Sequence, residues 1–402
     1  MSEITKPILL DETGLKIVDS LNSIAAIISA TGTYDYSDWN KIKNLVRLGI
    51  AKKALPVGSQ IIVPWTDKAT STTYSVPLDV VHYGNVTLQD GEIVPGMFLQ
   101  WHYATPFGVQ FDNYEAFYYA TAALAAGTYN VTLGSSWGAN VVSGKTYQFT
   151  LTQAVPIGGQ LSGFETCPDV APANWKVKSW ASSAATTATE TVSVTEGSGG
   201  TKLGTLKVGG DGTLNCMQRV VYGYNRWSAS SMRQWLNSAG ATSAWWTPQH
   251  NWDRFPNELL TKQGFLTGFD DNFLAALTPI KVTTALNTIT DSAVGTTEDT
   301  YDKIFLPSLQ QEYITPQLAN VEGESWDYWK RASGRTSYAP LSTNMAEYIT
   351  YGVDNKTLPQ GVRLRSVIRS YANFVCTVSA TGYVDTFNSS STVRCAPACV
   401  IC

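Results

Sequence analysis

The last 42 residues, Gly361 to Cys402, contain no Lys, Glu, Gln, Met or Trp. Residues 1–360 hold 17 Lys, 13 Glu, 15 Gln, 5 Met and 13 Trp, about one position in six, a rate that would place about seven in the tail. Those five amino acids are the ones out of reach when the first two bases of an Asn codon are randomised and the third stays a pyrimidine. All the others can occur, and no stop codon can. Two readings fit the depletion. The tail is a Ser/Thr-rich β segment that avoids long charged side chains, or it is a diversified surface on a fixed core. Either way, residues 362–401 are expected to alternate strands with turns of the Gly382 type.

A chain of 402 residues can bury a large core. Charged residues make up only 15%, against 13 Trp and 20 Tyr, which suits a β-rich body kept in solution by Ser, Thr, Asn and Gly. A net charge of −4 with no Lys/Arg run argues against nucleic acid as a partner. The opening MSEITKPILLDETG lacks a signal-peptide pattern, and no apolar run approaches a membrane span. The expectation is a protein made in a cytoplasm that reaches the outside, if at all, by lysis or in a particle. Six cysteines then read as free thiols rather than a disulfide framework. Cys395, Cys399 and Cys402 have metal-like spacing, but no His is near and the trio closes the chain, so Cys399 reads as a small core residue.

Along the chain, Ile17, Leu21, Ile24 and Ile28 form a short heptad seam over 13–30, either an oligomer stalk or a docked helix. A second helix follows, capped by Asp35 or Ser37, with Trp39, Ile42, Leu45, Val46 and Ile50 on one face and Pro56 ending it. Strands are expected at Gln60–Trp65, Tyr74–His82 and Met97–Tyr103, with Asp90-Gly91 as a hairpin turn. A β-rich module occupies about 115–212, and helices return at Ser228–Ser238, capped by Ser228, and at Asp271–Leu277. Residues 1–54 thus read as a helical attachment or oligomerisation segment and 55–402 as the main α+β domain, with the β-rich module inserted and a variable region at about 362–395.

No catalytic constellation emerges, and no cofactor or metal site is expected. His82, His102 and His250 lack a second ligand at short spacing and read as structural. Asp270-Asp271-Asn272 could ligate calcium, but such a cluster followed by Phe273, Leu274 and Leu277 more often caps a helix. Gly197–Gly200 lacks the Lys-Ser/Thr of a phosphate cradle, and the sequons at Asn85, Asn130 and Asn388 are chance matches without export.

Several segments resemble one family: Arg219–Leu236, Trp245–Pro256, Gly264–Leu277, Asp302–Ser308, and the closing Arg363-Leu364-Arg365-Ser366 and Ala396–Ile401. Pro56–Ile61, Phe111–Ala120 and Ala126–Asn130 are similar to its longer members, so the likeness spans most of 45–402. The family is one of uncharacterised C-type lectin-like proteins from phages and gut bacteria. Its fold resembles that of formylglycine-generating enzymes and of the variable proteins of diversity-generating retroelements, in which Asn codons of a C-terminal repeat are rewritten. Gly361-Val362-Arg363 stands where many relatives carry aromatics. Phe255-Pro256-Asn257 is the nearest approach to a sugar-binding Glu-Pro-Asn, and the redox cysteine pair of the enzyme branch has no counterpart. The resemblance therefore implies neither calcium-dependent sugar binding nor catalysis.

An N-terminal helix that joins several copies would add avidity. Together with the resemblance, the expectation is a receptor-binding protein of a phage tail, joined to other virion tail proteins through its N-terminal segment, oligomeric (a trimer by preference) and directed at a host-cell receptor. A retroelement-diversified bacterial binding protein is the alternative, and a formylglycine-generating-type enzyme the third class. The exposed ligand-binding positions are expected to be Ile368, Ser370, Tyr371, Asn373, Phe374, Cys376, Thr377, Ser379, Thr381, Tyr383, Asp385, Thr386, Phe387, Ser389 and Ser390, a paratope-like mix. Val375, Val378, Gly382, Val384 and Ala396–Ile401 are the fixed positions. Trp245, Trp246 and Trp252 either wall the site or pack the core.

Overall fold

A computed structural model describes residues 38–113, 117–120, 123–132, 146–151, 154, 160–161, 190–194, 204–208, 217–220, 223–249, 255–288, 290–291 and 294–402. Over these the protein is mixed α+β with strands predominating. The heptad seam of 13–30, His250, Trp252 and the Gly197–Gly200 run lie outside the described residues.

Helix α1, Trp39–Arg47, starts where the Asp38 carboxylate accepts the Lys41 amide at 3.2 Å, so Asp38 is the cap and not Asp35 or Ser37. Its face of Trp39, Ile42, Leu45 and Val46 is buried as the spacing predicts, each side chain worth about 1.5–3 kcal/mol. The helix stops at Arg47, before Gly49 (φ +70°), so Ile50, expected on the same helix, takes the N-cap position of the next turn instead. The single turn α2, Ala51–Ala54, precedes three strands: β1 Gln60–Asp67, β2 Thr72–Thr87 and β3 Ile93–Trp101. At the β2–β3 turn Gly91 has φ +89° and its amide donates to Leu88 O, as the Asp90-Gly91 signal predicts. Strands β4 Phe117–Ala120, β5 Gly127–Thr132, β6 Thr146–Leu151, β7 Gln160–Leu161, β8 Glu190–Val194, β9 Gly204–Val208 and β10 Met217–Val220 follow. They form a four-stranded sheet β5-β6-β9-β8 and a three-stranded sheet β10-β4-β7. The pairing of β10 with β4 carries this β-rich stretch to Val220, past the expected boundary.

Helix α3, Ser231–Leu236, is capped by Ser230, whose hydroxyl accepts the Arg233 amide at 3.1 Å; Ser228, the expected cap, instead donates to Glu298. Helix α4, Asp271–Ala276, is capped by Asp270 through the Phe273 amide at 2.8 Å, the structural reading of that acidic cluster. The β11–β12 hairpin (Ile280–Ala285, Thr297–Asp302), the short β13 (Ile304–Phe305), helix α5 (Asp327–Ser333) and the pair β14–β15 (Thr350–Tyr351, Pro359–Gln360) lead to the C-terminal strands. These are β16 Val362–Val367, β17 Phe374–Val378, β18 Val384–Asn388, β19 Arg394–Cys395 and β20 Ala398–Ile401.

The final strand returns to the middle of the molecule. The central sheet runs β1-β2-β3-β20-β13, all neighbours antiparallel, and every residue of β20 is buried. Beside it stands a second sheet, β18-β17-β16-β19, in which only the β16–β19 pair is parallel. Trp65, Trp101, Trp235, Phe265 and Phe269 pack in the core with ring centroids 4.9–6.4 Å apart. The indole N–H groups of Trp65 and Trp235 donate to Phe265 O and Gln263 O, so these two rings are buried without orphaned donors. Trp245 and Trp246 belong to this packing as well: Trp245 donates to Lys262 O, and both rings meet Phe255. No helix among the described residues is long and apolar enough to cross a membrane.

Candidate functional site

The expected binding positions fall on the second sheet and its connections. Segment 368–373 joins β16 to β17, segment 379–383 joins β17 to the edge strand β18, and 389–393 leaves β18. Ser370, Tyr371, Thr381, Asp385 and Phe387 are exposed, Tyr371 at 49% and Phe387 at 42%. Ile368, Asn373, Phe374, Ser379, Tyr383, Thr386 and Ser390 are half-buried. Tyr371 and Phe374 meet edge to face at 4.9 Å, an aromatic patch at one end of the β17–β18 hairpin. Thr381 and Tyr383 lie at the other end, where the Ser379 hydroxyl caps the turn. The candidates therefore occupy the two ends and the outer edge of one hairpin.

Three positions are corrections: Cys376, Thr377 and Ser389 are buried. Cys376 and Thr377, neighbours on β17, face opposite sides of the sheet, and β17 is an inner strand covered on both, so Val375, Cys376, Thr377 and Val378 are all buried. Burial pushes the Cys376 thiol up, and those of Cys395 and Cys399 up to about 12, which suits inert core thiols. Ser389 is locked by its own bonds: its amide and hydroxyl both donate to Asn373 O, and its carbonyl accepts the amides of Phe111 and Asp112. The positions expected to be fixed, Val375, Val378, Gly382, Val384 and Ala396–Ile401, are all buried.

What holds the connections in place is main chain. Asn225, fully buried, donates from Nδ2 to Tyr371 O at 2.9 Å and Phe374 O at 3.0 Å, and from its amide to Ala372 O at 2.9 Å. Asn225 is itself positioned by Asn287 Nδ2, which also donates to Asp291, the carboxylate that takes the Tyr224 hydroxyl. Thr288 reaches Arg369 O with its amide at 2.7 Å and its hydroxyl at 2.9 Å. Gln110 Nε2 donates to Ser390 O at 2.8 Å, and Arg363 Nη2 to Ser391 O at 2.7 Å and Asn388 O at 3.3 Å. The Met345 amide donates to Gly382 O at 3.1 Å. Each tether takes a main-chain carbonyl of the variable segment. Of the residues so held, Arg369 and Asn388 also commit their side chains, to Leu286 O and to Asn373 Nδ2, whereas Asn225 holds the exposed Tyr371 through its carbonyl alone.

Two glycines close the frame. Gly382 has φ +77°, and a Cβ there would stand 2.0 Å from Met345 O. Gly223 has φ +79°, and its Cβ would meet Asp112 O, Ser389 Cβ and Ser390 N at 2.8–2.9 Å. Beneath the hairpin, Arg363, Thr377 and Asp385 form one row across β16, β17 and β18. Arg363 is fully buried, which pulls its guanidinium down to about 9, and its charge faces main-chain carbonyls.

The tethering residues are not among the expected binding positions, because a paratope-like composition marks side chains that face a ligand and not those that hold main chain. The signal was present: the run from Arg219 to Leu236 carries the Gly223-Tyr224-Asn225 segment. Among the described residues, no group of three or more His, Cys, Asp or Glu is placed to hold a metal ion. His102 is held by Asp79 at 2.8 Å, a bond that raises its pKa and fixes the ring within β-sheet packing.

Residues 212–401, just under half of the chain, match the family model described as a domain of unknown function, DUF6273. No curated protein and no solved structure matches the chain significantly.

Proposed function

We propose that this chain is a binding protein: a rigid body that displays an exchangeable recognition surface on its C-terminal hairpin. The supporting observation is the way the hairpin is tethered. Asn225, Thr288, Gln110, Arg363 and the Met345 amide grip backbone carbonyls of residues 369–391, so side-chain identity at the exposed positions is free to change while the backbone path is kept. The depletion of Lys, Glu, Gln, Met and Trp in the same segment supports exchange by retroelement-type rewriting of Asn codons. A C-type lectin-like organisation of 55–402, suggested by the sequence resemblance, is in keeping with the mixed fold and the return of β20 to the central sheet.

The particular role we propose is adsorption of a phage tail to its bacterial host, with residues 1–54 as the attachment and trimer-forming segment. Several copies would raise weak single-site affinity by about 10²–10⁴-fold on a repetitive surface. The test is retention of labelled full-length protein on a panel of bacterial isolates. A subset of isolates should retain it, and Tyr371→Ala with Phe387→Ala should cut retention at least about tenfold at unchanged Tm, since both side chains are exposed. Retention that ignores both substitutions, or binding to no isolate at all, would sink the reading.

A further inference from the structure

Away from the display hairpin, a cavity of about 190 Å³ opens between β2, β11 and the loop at residues 321–326. That is far above the roughly 10–15 Å³ one water needs. Its walls include the rings of Phe98, Phe305 and Trp326, with Phe98 and Trp326 centroids 5.9 Å apart. His82 lines it from β2 just past the register shift in the β2–β3 pairing, where the irregularity re-aims a side chain. Its Nε2 meets Glu324 Oε2 at 3.1 Å, leaving a polar mouth over an aromatic interior.

Arg365 also lines this cavity and is wholly buried. Its Nη1 donates to Leu306 O at 2.7 Å and Gln311 Oε1 at 2.6 Å, and its Nη2 to Glu322 O at 2.7 Å and Thr283 O at 3.4 Å. All four acceptors are neutral. The neighbouring carboxylate of Glu322 is engaged elsewhere, with the Ala285 amide and the Ser366 hydroxyl. Among the described residues, Arg365 Nε–H has no hydrogen-bond partner. The buried carboxylates of Glu322 and Asp302 offset part of the Arg365 charge without bonding to the guanidinium, and the unused Nε–H is a donor that a carboxylate entering the cavity can take. Burial brings Arg365 down only to about 10, so it is cationic at neutral pH.

We propose that this cavity is a second, unvarying binding site for a small carboxylate carried on a flat apolar body, with the carboxylate on Arg365 and the body among Phe98, Phe305 and Trp326. Apart from Arg365 its lining comes from outside the C-terminal segment, so its ligand stays the same whatever the hairpin displays. The proposal stands independently of the adsorption reading.

The experiment uses the full chain and three probes, the isosteric pair benzoate and benzamide and the cation benzylamine, followed by calorimetry and thermal shift. Benzoate should bind and raise Tm, benzamide should bind at least about tenfold more weakly for want of the charge-assisted bond, and benzylamine should not bind. Asn85, exposed at the mouth, offers the location control. Asn85→Trp should abolish benzoate binding while leaving the ligand-free Tm within about 2 °C. Equal binding of benzoate and benzamide, binding of neither, or full benzoate affinity in Asn85→Trp would each overturn the assignment.

Discussion

At the scale of single residues, the buried polar groups do the most specifying. Asn225 is the clearest case, since its side chain holds the carbonyls of Tyr371 and Phe374 and its own amide holds that of Ala372. Asn225→Ala strands Tyr371 O, Phe374 O and the Asn287 amide that bonded to it. Urea denaturation should show a loss of about 2–4 kcal/mol, against less than about 1 kcal/mol for Tyr371→Ala, which keeps the carbonyl that Asn225 holds. Comparable losses for the two would remove the distinction between frame and display. Glu312 makes an opposite contribution. It is buried with Gln100 Nε2 on its Oε1 at 2.9 Å, and burial raises its carboxyl to about 7. Between the ordinary value of 4.5 and about 7 the folded state holds a proton that the unfolded state has released. Stability from this group is therefore full below 4.5 and falls as pH rises through that window, by an amount on the order of 3 kcal/mol. Glu312→Gln keeps an acceptor for Gln100 and removes the titration. The difference in Tm between the variant and the parent should grow in the variant's favour from pH 5 to pH 8; a constant difference would mean Glu312 is not buried as described.

At the scale of elements, periodicity and turn chemistry were readable, while caps and coverage were less so. Trp39, Ile42, Leu45 and Val46 at helical spacing named the buried face of α1, and Asp90-Gly91 named a hairpin. The caps shifted to Asp38 and Ser230 because Ser and Asp cluster near both helix starts, and which side chain reaches the N3 amide depends on backbone geometry that composition does not encode. Cys376 and Thr377 were misplaced for a different reason. Period-2 alternation tells which residues share a face, but β17 is packed on both faces, and that coverage comes from segments far away in the chain. Long-range tethers such as Asn225 to Tyr371 O, 146 residues apart, have no local signature at all. The β17–β18 turn was legible through Gly382, and it yields a sharp expectation. Gly382→Ala forces a Cβ against Met345 O at φ +77°, so the turn must rebuild. A loss of at least about 2 kcal/mol in denaturant unfolding is expected, with hydrogen exchange rising first at the amides of 379–384. An alanine variant as stable as the parent would show that the hairpin end is not pinned to residue 345.

At the scale of the whole molecule, the closing strand β20 lies between β3 and β13, so the variable segment is anchored at both ends: by β16 within its own sheet and by β20 in the central one. Such anchoring separates two kinds of substitution that composition alone cannot distinguish. Replacing Ser370, Tyr371, Thr381, Asp385 and Phe387 together, for instance by Arg, Asp, Asn, Asn and Ser, touches only exposed positions at the ends and edge of the hairpin. Each such change is worth within about 0.5 kcal/mol, and changes at separated sites add, so the total stays within about 2.5 kcal/mol. A single Val375→Ala, inside the same segment but buried, is expected to cost about as much or more through the cavity it leaves. Circular dichroism melts of the fivefold variant and of Val375→Ala, paired with cell retention, measure both sides. The fivefold variant should melt within about 5 °C of the parent yet lose or change its cellular target, and Val375→Ala should melt lower while keeping the target. If the fivefold variant unfolds while Val375→Ala does not, the exposed side chains hold the hairpin up, and a surface that must hold itself up is not free to vary.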